Sequence, residues 1–314
     1  MPAATVEAKA VTRLFKLGSE EVHALNGIDL QVHAREFVAL IGRSGSGKTT
    51  LLNIIAGLDR PTTGEVYLDG NRIDNLPEGD LTKLRRRDLG FIFQSFGLLP
   101  LLSAQENVEL PLRIAGFSHG ERVRLARNAL DLVGLSRRAH HRPYELSGGE
   151  QQRVAIARAI ATEPRLILSD EPTGELDSTT ARLVFGLLRA LSREQDFTVV
   201  TCTHDRLVME MADRVEELED GHLVAAGEGE LWKRVQETAR SPFEAAFVGG
   251  KAADEAEASA LSSLVGADTR RFGRLATFDP STRSADGNDP AEGADEAGED
   301  EEDAARWARP GSRN

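Results

Sequence analysis

A glycine-rich stretch at residues 42–49 constrains the fold of this chain more than any other feature. It reads GRSGSGKT and matches the pattern G-x-x-x-x-G-K-[ST] at every fixed position. The apolar run 37–41 before it predicts a strand buried on both faces, and residues 48–57 after it predict a helix that ends on glycine. Glycines let successive backbone N–H groups turn inward around phosphate oxygens, so the stretch predicts a nucleoside triphosphate site.

Most of the expected nucleotide ligands come from this loop. The positive end of the following helix favours phosphate, and the ammonium of Lys48 neutralises charge on the β- and γ-phosphates. The hydroxyl of Thr49 is a predicted ligand of Mg²⁺. The nucleotide-binding residues predicted here are Gly42, Arg43, Ser44, Gly45, Ser46, Gly47, Lys48, Thr49 and Thr50.

Two adjacent carboxylates, Asp170 and Glu171, follow a second buried strand at residues 166–168. A parallel sheet presents functional groups where its strands end, so we expect this pair beside the phosphate loop. Asp170 would hold Mg²⁺, and Glu171 would orient or deprotonate the attacking water. On its own, an Asp-Glu pair also fits a solvated strand end.

Periodicity predicts an α/β fold. Strands alternate with helices from residue 37 to about 201, which is typical of a mainly parallel sheet covered by helices. Before this region, alternating apolar residues up to about 35 predict strands, and residues 64–73 predict a β-hairpin around Asp69-Gly70. Residues 103–162 predict a helical insertion, and further helices and strands follow at 178–194 and 197–201.

The stretch LSGGEQQR at 146–153 is the most discriminating motif. Ser147 and Glu150 form an S-x-x-E capping box, which explains those two residues as a helix start. A cap does not require Gly148 and Gly149, which weaken the first turn of a helix. Two glycines at a positive helix end favour the close approach of a phosphate held by another molecule.

With these motifs in order, residues 5–225 resemble the ATP-binding-cassette (ABC) ATPases, whose signature motif LSGGEQQR matches. The resemblance implies the P-loop NTPase fold, with a mainly parallel sheet, an antiparallel β arm and a helical subdomain. It also implies roles for further residues: Gln94 as a catalytic and Mg²⁺-binding glutamine, His204 as a catalytic switch histidine, and Phe15 as the ring that stacks on adenine. Glu175 stands where the family has a neutral or small residue.

In this family two cassettes pair head to tail, and each ATP lies between the phosphate loop of one and the signature of the other. The resemblance therefore implies a homodimer or paired cassette, with Ser147, Gly148 and Gly149 contacting the γ-phosphate held by Lys48 of the second copy. Glu171, His204, Gln94 and Lys48 would carry out ATP hydrolysis, with ATP and Mg²⁺ as cofactors.

Several stretches resemble the branch that serves lipoprotein-release, macrolide-export and cell-division permeases, among them the run from Phe91 to Phe96 and residues 106–112. This implies a separate membrane permease, received by exposed Leu and Phe side chains at 95–112. One alternative couples ATP to cell division or signalling without solute transport. Another, a DNA-maintenance ATPase, usually needs a long coiled coil or zinc modules between loop and signature, and no sustained heptad is visible there.

Composition limits the remaining classes. The chain has 314 residues and a net charge of −13, of which residues 251–314 carry −7, so a globally basic nucleic-acid binder is excluded. One cysteine, Cys202, excludes an internal disulfide and is expected to be a small buried thiol. No signal peptide or spanning segment is visible, which predicts a cytoplasmic protein, peripheral at the inner face of the membrane. We expect the ATPase domain at 1–225, a helical extension at 226–250 and a disordered acidic tail at 251–314.

Overall fold

The computed structural model describes residues 4–18, 20–204, 206–224 and 229. Its strands are β1 (Ala4–Leu17), β2 (Glu20–His33), β3 (Phe37–Ile41), β4 (Thr63–Leu68), β5 (Asn71–Arg72), β6 (Leu89–Ile92), β7 (Leu166–Asp170), β8 (Thr198–Cys202), β9 (Arg214–Glu219) and β10 (His222–Val224). Its α-helices are α1 (Lys48–Ile55), α2 (Glu78–Arg87), α3 (Ala104–Ile114), α4 (His119–Leu132), α5 (Gly148–Ile160), α6 (Ser178–Glu194) and α7 (Arg206–Met211). Two short 3₁₀ helices, Ser136–Arg138 and Pro143–Glu145, precede α5.

A six-stranded sheet in the order β10-β9-β3-β8-β7-β6 forms the centre of the fold. All neighbouring pairs are parallel except β9 and β10. Strands β3 and β8 are buried along their whole length, as their continuous apolar runs predict. The register pairs Cys202 with both Leu40 and Asp170, so β3, β7 and β8 end together at one edge of the sheet. The phosphate loop, the carboxylate pair and His204 all leave from that edge.

A second sheet, in the order β2-β1-β4-β5, is antiparallel throughout and confirms the predicted β arm. Helix α1 packs between this arm and the central sheet, and its Leu51 and Ile55 share one buried apolar cluster with Leu25 and Ile28 of β2. The helix that carries the phosphate loop is therefore held by apolar contacts on two sides. Such burial contributes about 25 cal/mol per Å² of apolar surface, so the position of the loop is strongly fixed.

The segment between β6 and α5 is helical, as the periodicity predicts. Helices α3, α4 and α5 share an apolar core with α6, in which Val108, Leu130 and Val154 are fully buried. The longest helix between β6 and α5 is α4, with 14 residues. The long coiled coil that the DNA-maintenance alternative requires is therefore absent from this segment, all of which the structure describes.

The sequence prediction is wrong in two places and untested in others. The apolar residues at 89–93 predict a strand that ends at Phe93, and strand β6 ends one residue earlier, at Ile92. Phe96, expected to be exposed, is buried, and of the apolar residues at 95–112 it is Leu99 and Leu101 that are strongly exposed. Cys202 is a buried free thiol as predicted, and burial raises the pKa of its thiol. The predicted helix at 226–250 (residue 229 apart) and the tail at 251–314 lie outside the described residues. Within the part of the chain that the structure describes, every helix is too short or too polar to cross a bilayer.

Candidate nucleotide site

The phosphate loop connects β3 to α1 and is closed by its own lysine. Gly47 caps α1 in the left-handed conformation, with φ of 107°. The ammonium of Lys48, which is buried, donates to the backbone oxygens of Gly42 at 2.8 Å and Arg43 at 3.0 Å. An ammonium group bound to neutral carbonyl oxygens gains more from a phosphate anion, because in a partly buried site an ion pair is stronger than a hydrogen bond from a cation to a neutral acceptor. The lysine is therefore poised to bind a phosphate that enters the loop.

Two glycines of the loop are required by the backbone that surrounds them. A Cβ atom at Gly42 would lie 2.4 Å from the Leu218 oxygen, and one at Gly47 would lie 2.5 Å from the Ala24 oxygen. Gly45 differs, because a Cβ atom there would meet nothing within 4 Å. Its φ of 83° still favours glycine. The loop is thus fixed at both ends and open at its middle, where the motif expects a ligand.

Thr49 and Asp170 meet at the edge of the central sheet, as predicted. The Thr49 hydroxyl donates to Oδ2 of Asp170 at 3.1 Å. Burial raises the pKa of Asp170, and the neighbouring Glu171 raises it further, while Thr49 and Lys48 act in the opposite direction. A partly desolvated carboxylate gains free energy from a cation, and a hydroxyl with a carboxylate is an oxygen donor set that suits Mg²⁺. The two residues present therefore fit a magnesium ion.

Glu171 pairs with His204 directly after the ends of β7 and β8. Nδ1 of His204 lies 2.8 Å from Oε2 of Glu171, and the side chains are 70% and 20% exposed respectively. The backbone of Glu171 is turned by a φ of 46°, and its N–H donates to the Cys202 oxygen at 2.9 Å. This left-handed turn is uncommon outside glycine, and such strain is typical of functional sites. The two predicted catalytic side chains are thus brought together.

Gln94 is exposed and lies against the turn that follows Glu171. A Cβ atom at Gly174 would come within 2.8 Å of its Nε2 atom. The loop that carries Gln94 is held by Arg158 of α5, whose guanidinium donates to the backbone oxygens of Phe96, at 2.9 Å, and of Gly97. Burial lowers the pKa of Arg158. The predicted glutamine therefore lies against the turn that follows Glu171, on a loop fixed to the signature helix.

The signature motif starts α5 with the predicted capping box. The N–H of Glu150 donates to the Ser147 hydroxyl at 3.3 Å, and the Ser147 N–H donates to the Glu150 carboxylate at 2.9 Å. A Cβ atom at Gly149 would lie 2.4 Å from Cγ2 of Thr180, so packing against α6 explains this glycine. A Cβ atom at Gly148 would meet nothing closer than 3.5 Å. Packing within the described chain therefore does not explain Gly148, which leaves its open backbone available to a ligand.

The signature faces a cavity of about 360 Å³ that is separate from the phosphate loop. Its lining comes from α5, α6 and the turn between β7 and α6. The lining residues are Ser147, Gly148, Gly149, Glu150, Arg153, Glu175, Leu176, Asp177, Thr180, Leu183 and Val184. None of them belongs to residues 42–50. One chain therefore presents two half-sites, a phosphate loop and a signature, that do not line a common cavity.

Comparison with known proteins agrees with this arrangement. A family model described as ABC transporter matches residues 25–174. The ABC transporter ATP-binding protein MJ0796 of Methanocaldococcus jannaschii is 48% identical over 222 residues, which cover 69% of this chain and 94% of that protein. This chain belongs to the ABC transporter ATP-binding family.

Other relatives of the cassette include proteins of similar and of much greater length. The ABC transporter ATP-binding protein YknY of Bacillus subtilis is 45% identical over 72% of this chain and 97% of its own length. The macrolide export ATP-binding/permease protein MacB of Wolinella succinogenes is 48% identical over 76% of this chain and 36% of its own. The chain thus spans about a third of the length of the MacB relatives that it matches.

Solved structures of MJ0796 share the fold of the cassette. One is a dimeric post-hydrolysis state bound to ADP and Pi, with 47% identity, a TM-score of 0.64, and coverage of 69% of this chain and 96% of that chain. A second dimeric structure of MJ0796 gives the same values. The expected α/β P-loop fold, with its parallel sheet and helical insertion, is confirmed.

Three side chains of the cassette were missed by sequence reasoning. Asn107 of α3 is fully buried and bonds the loop before its own helix, through the backbone of Leu99, Leu102 and Ser103. Thr180 fixes the packing at Gly149, and Arg13 covers the ring of Phe15. The burial of Asn107 could have been predicted from the sequence, because this residue lies between Ala104 and Val108 on the apolar side of the helix. The other two contacts join distant parts of the chain and leave no local pattern.

Proposed function

We propose that this cassette is the ATP-binding and ATP-hydrolysing subunit of an ABC transporter, and that it works as a head-to-tail pair. The observation that carries the proposal is the separation of the phosphate loop from the signature cavity, because each half-site needs a second copy to complete it. The dimeric structures of the relative MJ0796, one of them bound to ADP and Pi, support a pair of this kind. With 48% identity to that protein, the same assembly is the simplest expectation.

Binding would begin at the phosphate loop. Lys48 leaves the oxygens of Gly42 and Arg43 for the β- and γ-phosphates, while residues 42–50 supply N–H groups and the positive end of α1. Phe15 offers a ring for the adenine base. Closure of the pair brings Ser147, Gly148 and Gly149 of the second copy to the γ-phosphate. The free backbone at Gly148 and the helix end behind it suit that role.

Magnesium would be held by Thr49 and Asp170, with Gln94 as a third contact. The 3.1 Å approach of the Thr49 hydroxyl to Asp170 already assembles two oxygen donors at one point. Among the described residues there is no group of three or more His, Cys, Asp and Glu side chains that would hold a metal alone. The ion would therefore depend on phosphate and water oxygens for its other ligands, as Mg²⁺ usually does. When bound, it neutralises charge on the transferred phosphoryl group.

Hydrolysis would be carried out by the groups at the ends of β7 and β8. Glu171 accepts a proton from the attacking water, or orients it, and His204 contacts the γ-phosphate charge. Gln94 lies at the same turn and links the site to the helical subdomain. Closing the pair excludes water from the site, which strengthens each of these electrostatic interactions. Loss of the γ-phosphate removes the group that both copies share and reopens the pair.

A membrane permease of the lipoprotein-release or macrolide-export type would be the transport partner. The relatives named MacB are ATP-binding/permease proteins, and the chain matches about a third of each. A groove of about 330 Å³ between α2, α3 and α5 exposes Phe93 and Ile114, and Arg86 and Arg158 also line it. A groove with apolar walls and basic edges suits a short permease segment. Pairing with such a permease would bring the cassette to the inner face of the cell membrane, and no helix among the described residues could cross a bilayer itself.

The proposal is tested with the Glu171→Gln variant, which keeps the shape of the side chain and removes its basicity. We expect turnover to fall by about 10²- to 10⁴-fold while Mg-ATP binding persists, and size-exclusion chromatography to show an ATP-dependent dimer. A strictly monomeric ATP-loaded variant, or one that hydrolyses ATP at the parental rate, contradicts the proposal. Copurification of the chain from membranes identifies whether its partner is a permease.

Head-to-tail pairing is tested by mixing two damaged chains in the Glu171→Gln background. Lys48→Ala disables the phosphate loop of one chain, and Ser147→Arg disables the signature of the other. Each chain alone should trap no ATP. Their mixture restores one complete site, so we expect it to trap one ATP per pair. The control is the Glu171→Gln chain in which both the phosphate loop and the signature are intact, which should trap two ATP per pair. If the mixture traps no ATP while this control traps two, the site is not shared between the copies.

A further inference from the structure

The base-stacking ring of Phe15 carries a cation on one face. The guanidinium of Arg13 lies 4.4 Å from the centroid of the ring. Both residues lie on β1, two positions apart, and therefore on the same face of the strand. Phe15 is half-buried, so part of its ring remains open beside the arginine. A cation in this position is attracted by the electrons of the ring and holds it in place.

Arg13 is itself fixed by Asp59 in a two-pronged ion pair. Nε of Arg13 donates to Oδ2 of Asp59 at 2.9 Å, and Nη2 approaches Oδ1 at 2.8 Å. The side chains are only 24% and 27% exposed, so the pair is partly shielded from water and salt. A planar guanidinium bound through two nitrogens has a defined orientation, which lysine does not provide.

Asp59 connects this pair to the helix that carries the phosphate loop. It follows the end of α1, and its N–H donates to the oxygen of Asn53 in that helix at 3.2 Å. The carboxylate also accepts from the N–H of Arg60 at 2.8 Å. A continuous set of contacts thus runs from the ring of Phe15 through Arg13 and Asp59 to α1. The ribose limits how far a base can lie from its triphosphate, so a ring that stacks on the base must keep its place relative to the loop.

We propose that Arg13 is a positioning residue for the nucleotide base: it holds one face of Phe15, leaves the opposite face for adenine, and ties the ring to α1 through Asp59. This rests on the proposed function, because it assumes that Phe15 stacks on the base. The cation also draws electron density from the ring and strengthens stacking with an electron-rich purine. Phenylalanine has no hydroxyl with which to anchor itself, so the arginine supplies the anchor.

The test compares Mg-ATP with Mg-tripolyphosphate, which has the phosphates but no base. Arg13→Ala should weaken Mg-ATP binding about two- to fivefold, the range of an exposed cation–π contact, and leave tripolyphosphate binding unchanged. In the Phe15→Leu background Arg13→Ala should have no further effect on ATP, because the ring through which it acts is gone. Asp59→Asn should give a smaller loss of the same kind.

Lys9→Ala is the matched control. The ammonium of Lys9 lies 4.7 Å from the centroid of the Tyr67 ring and pairs with Glu7 at 3.1 Å. Replacing Lys9 with alanine therefore removes a cation–π contact and an ion pair from the same strand. Its effect on both ligands should be nil. Equal losses for ATP and tripolyphosphate in Arg13→Ala, no loss for either, or an undiminished loss in the Phe15→Leu background would each overturn the proposal.

The same titrations separate this proposal from the proposed function. Lys48→Ala should abolish binding of both ligands, since it removes the phosphate contact itself. If the unmodified chain binds tripolyphosphate as tightly as ATP, the base contributes nothing to binding. That result supports the phosphate site and contradicts the proposed role of Arg13. If the unmodified chain binds neither ligand, the proposed function fails and the role of Arg13 fails with it.

Discussion

The imidazole of His204 lies against the carboxylate of Glu171 within a single chain, with 2.8 Å between Nδ1 and Oε2. A hydrogen on Nδ1 is needed to donate to the carboxylate, so Nε2 of a neutral ring is an acceptor and not a donor. Contact with a phosphate oxygen then requires either a protonated imidazole or release of His204 from Glu171. Under the proposed function, in which His204 contacts the γ-phosphate, binding of ATP must change this pair and so couples the presence of nucleotide to the position of Glu171, the proposed general base.

The first prediction concerns His204→Ala. Loss of the imidazole should lower kcat about 10²-fold, the scale of a missing electrostatic or acid–base group, while the affinity for Mg-ATP changes less than about twofold. Steady-state hydrolysis and equilibrium binding measure the two quantities separately. His222→Ala, at an exposed histidine of β10, is the control and should change neither. A variant that loses binding as completely as Lys48→Ala would show that His204 supports the fold of the site.

Sequence patterns predicted most of the fold and the candidate site because both depend on local order. The bounds predicted for α6, 178–194, are those of the structure, since an apolar period and a capping aspartate define them. Thr49 and Asp170 were predicted to meet, and they do, because parallel strands end at a common edge.

The features that sequence patterns missed depend on contacts between distant residues. Phe96 is buried because its backbone turns with φ of 56° and its oxygen accepts from Arg158, 62 residues away. The ion pair of Arg13 and Asp59 joins β1 to the end of α1 across 46 residues. Neither leaves a local period or motif, so each needs the packed structure to be seen.

The second prediction separates packing from function at the signature glycines. Gly149→Ala should lower the free energy of unfolding by about 1–3 kcal/mol, because its methyl group meets Cγ2 of Thr180 at 2.4 Å. Thr180→Ser removes that methyl and keeps the hydroxyl that donates to Asp177 at 2.6 Å. The double variant should therefore regain parental stability in urea unfolding. If it does not, overpacking against α6 is the wrong explanation for Gly149.

Gly148→Ala completes this comparison. A methyl group there meets only ordinary contacts at 3.5 Å or more, and alanine favours a helix, so stability should stay equal or rise by up to about 1 kcal/mol. We expect ATP-dependent association to weaken nevertheless, because in the proposed pair the γ-phosphate of the second copy approaches the backbone at Gly148. Unchanged association in the Glu171→Gln background would argue against contact at Gly148.

The third prediction uses the raised pKa of Asp170. Burial disfavours its ionised form, so between the ordinary carboxyl pKa of about 3.9 and the raised value the folded chain binds more protons than the unfolded chain. Stability without nucleotide should therefore fall as pH rises through that window. Asp170→Asn carries no charge and should be the more stable protein at pH 7, with the difference vanishing as the pH falls below about 4.

Urea unfolding from pH 4 to 8 measures this difference, and Mg-ATP binding should change in the opposite direction. The amide loses the charge that a magnesium ion requires, so Mg²⁺-dependent affinity should drop although stability rises. Asp80→Asn, at an exposed residue of α2, is the control and should show neither effect. A destabilised Asp170→Asn protein at pH 7 would contradict the account of this carboxylate.

The fourth prediction concerns Asn107, which shapes the loop before α3 that exposes Leu99 and Leu101. Its amide accepts from the Leu99 N–H at 2.8 Å and donates to the oxygens of Leu102, at 3.1 Å, and Ser103, at 3.0 Å. Asn107→Leu removes the side-chain partner of the Leu99 N–H and of the Leu102 oxygen, while the Ser103 oxygen keeps the backbone N–H of residue 107, and we expect a loss of about 1–3 kcal/mol of unfolding free energy. Asn71→Ala, at an exposed asparagine, should cost less than about 0.5 kcal/mol.

The functional effect of Asn107→Leu should be confined to the partner. The phosphate loop is held by β3, α1 and the β arm, none of which Asn107 touches, so basal ATP hydrolysis below the unfolding transition should be unchanged. Leu99 and Leu101 lose the hydrogen bonds that hold their loop, so copurification with the proposed permease, and any stimulation by it, should fall. A variant that keeps the permease but loses basal hydrolysis would show that this loop serves the nucleotide site instead.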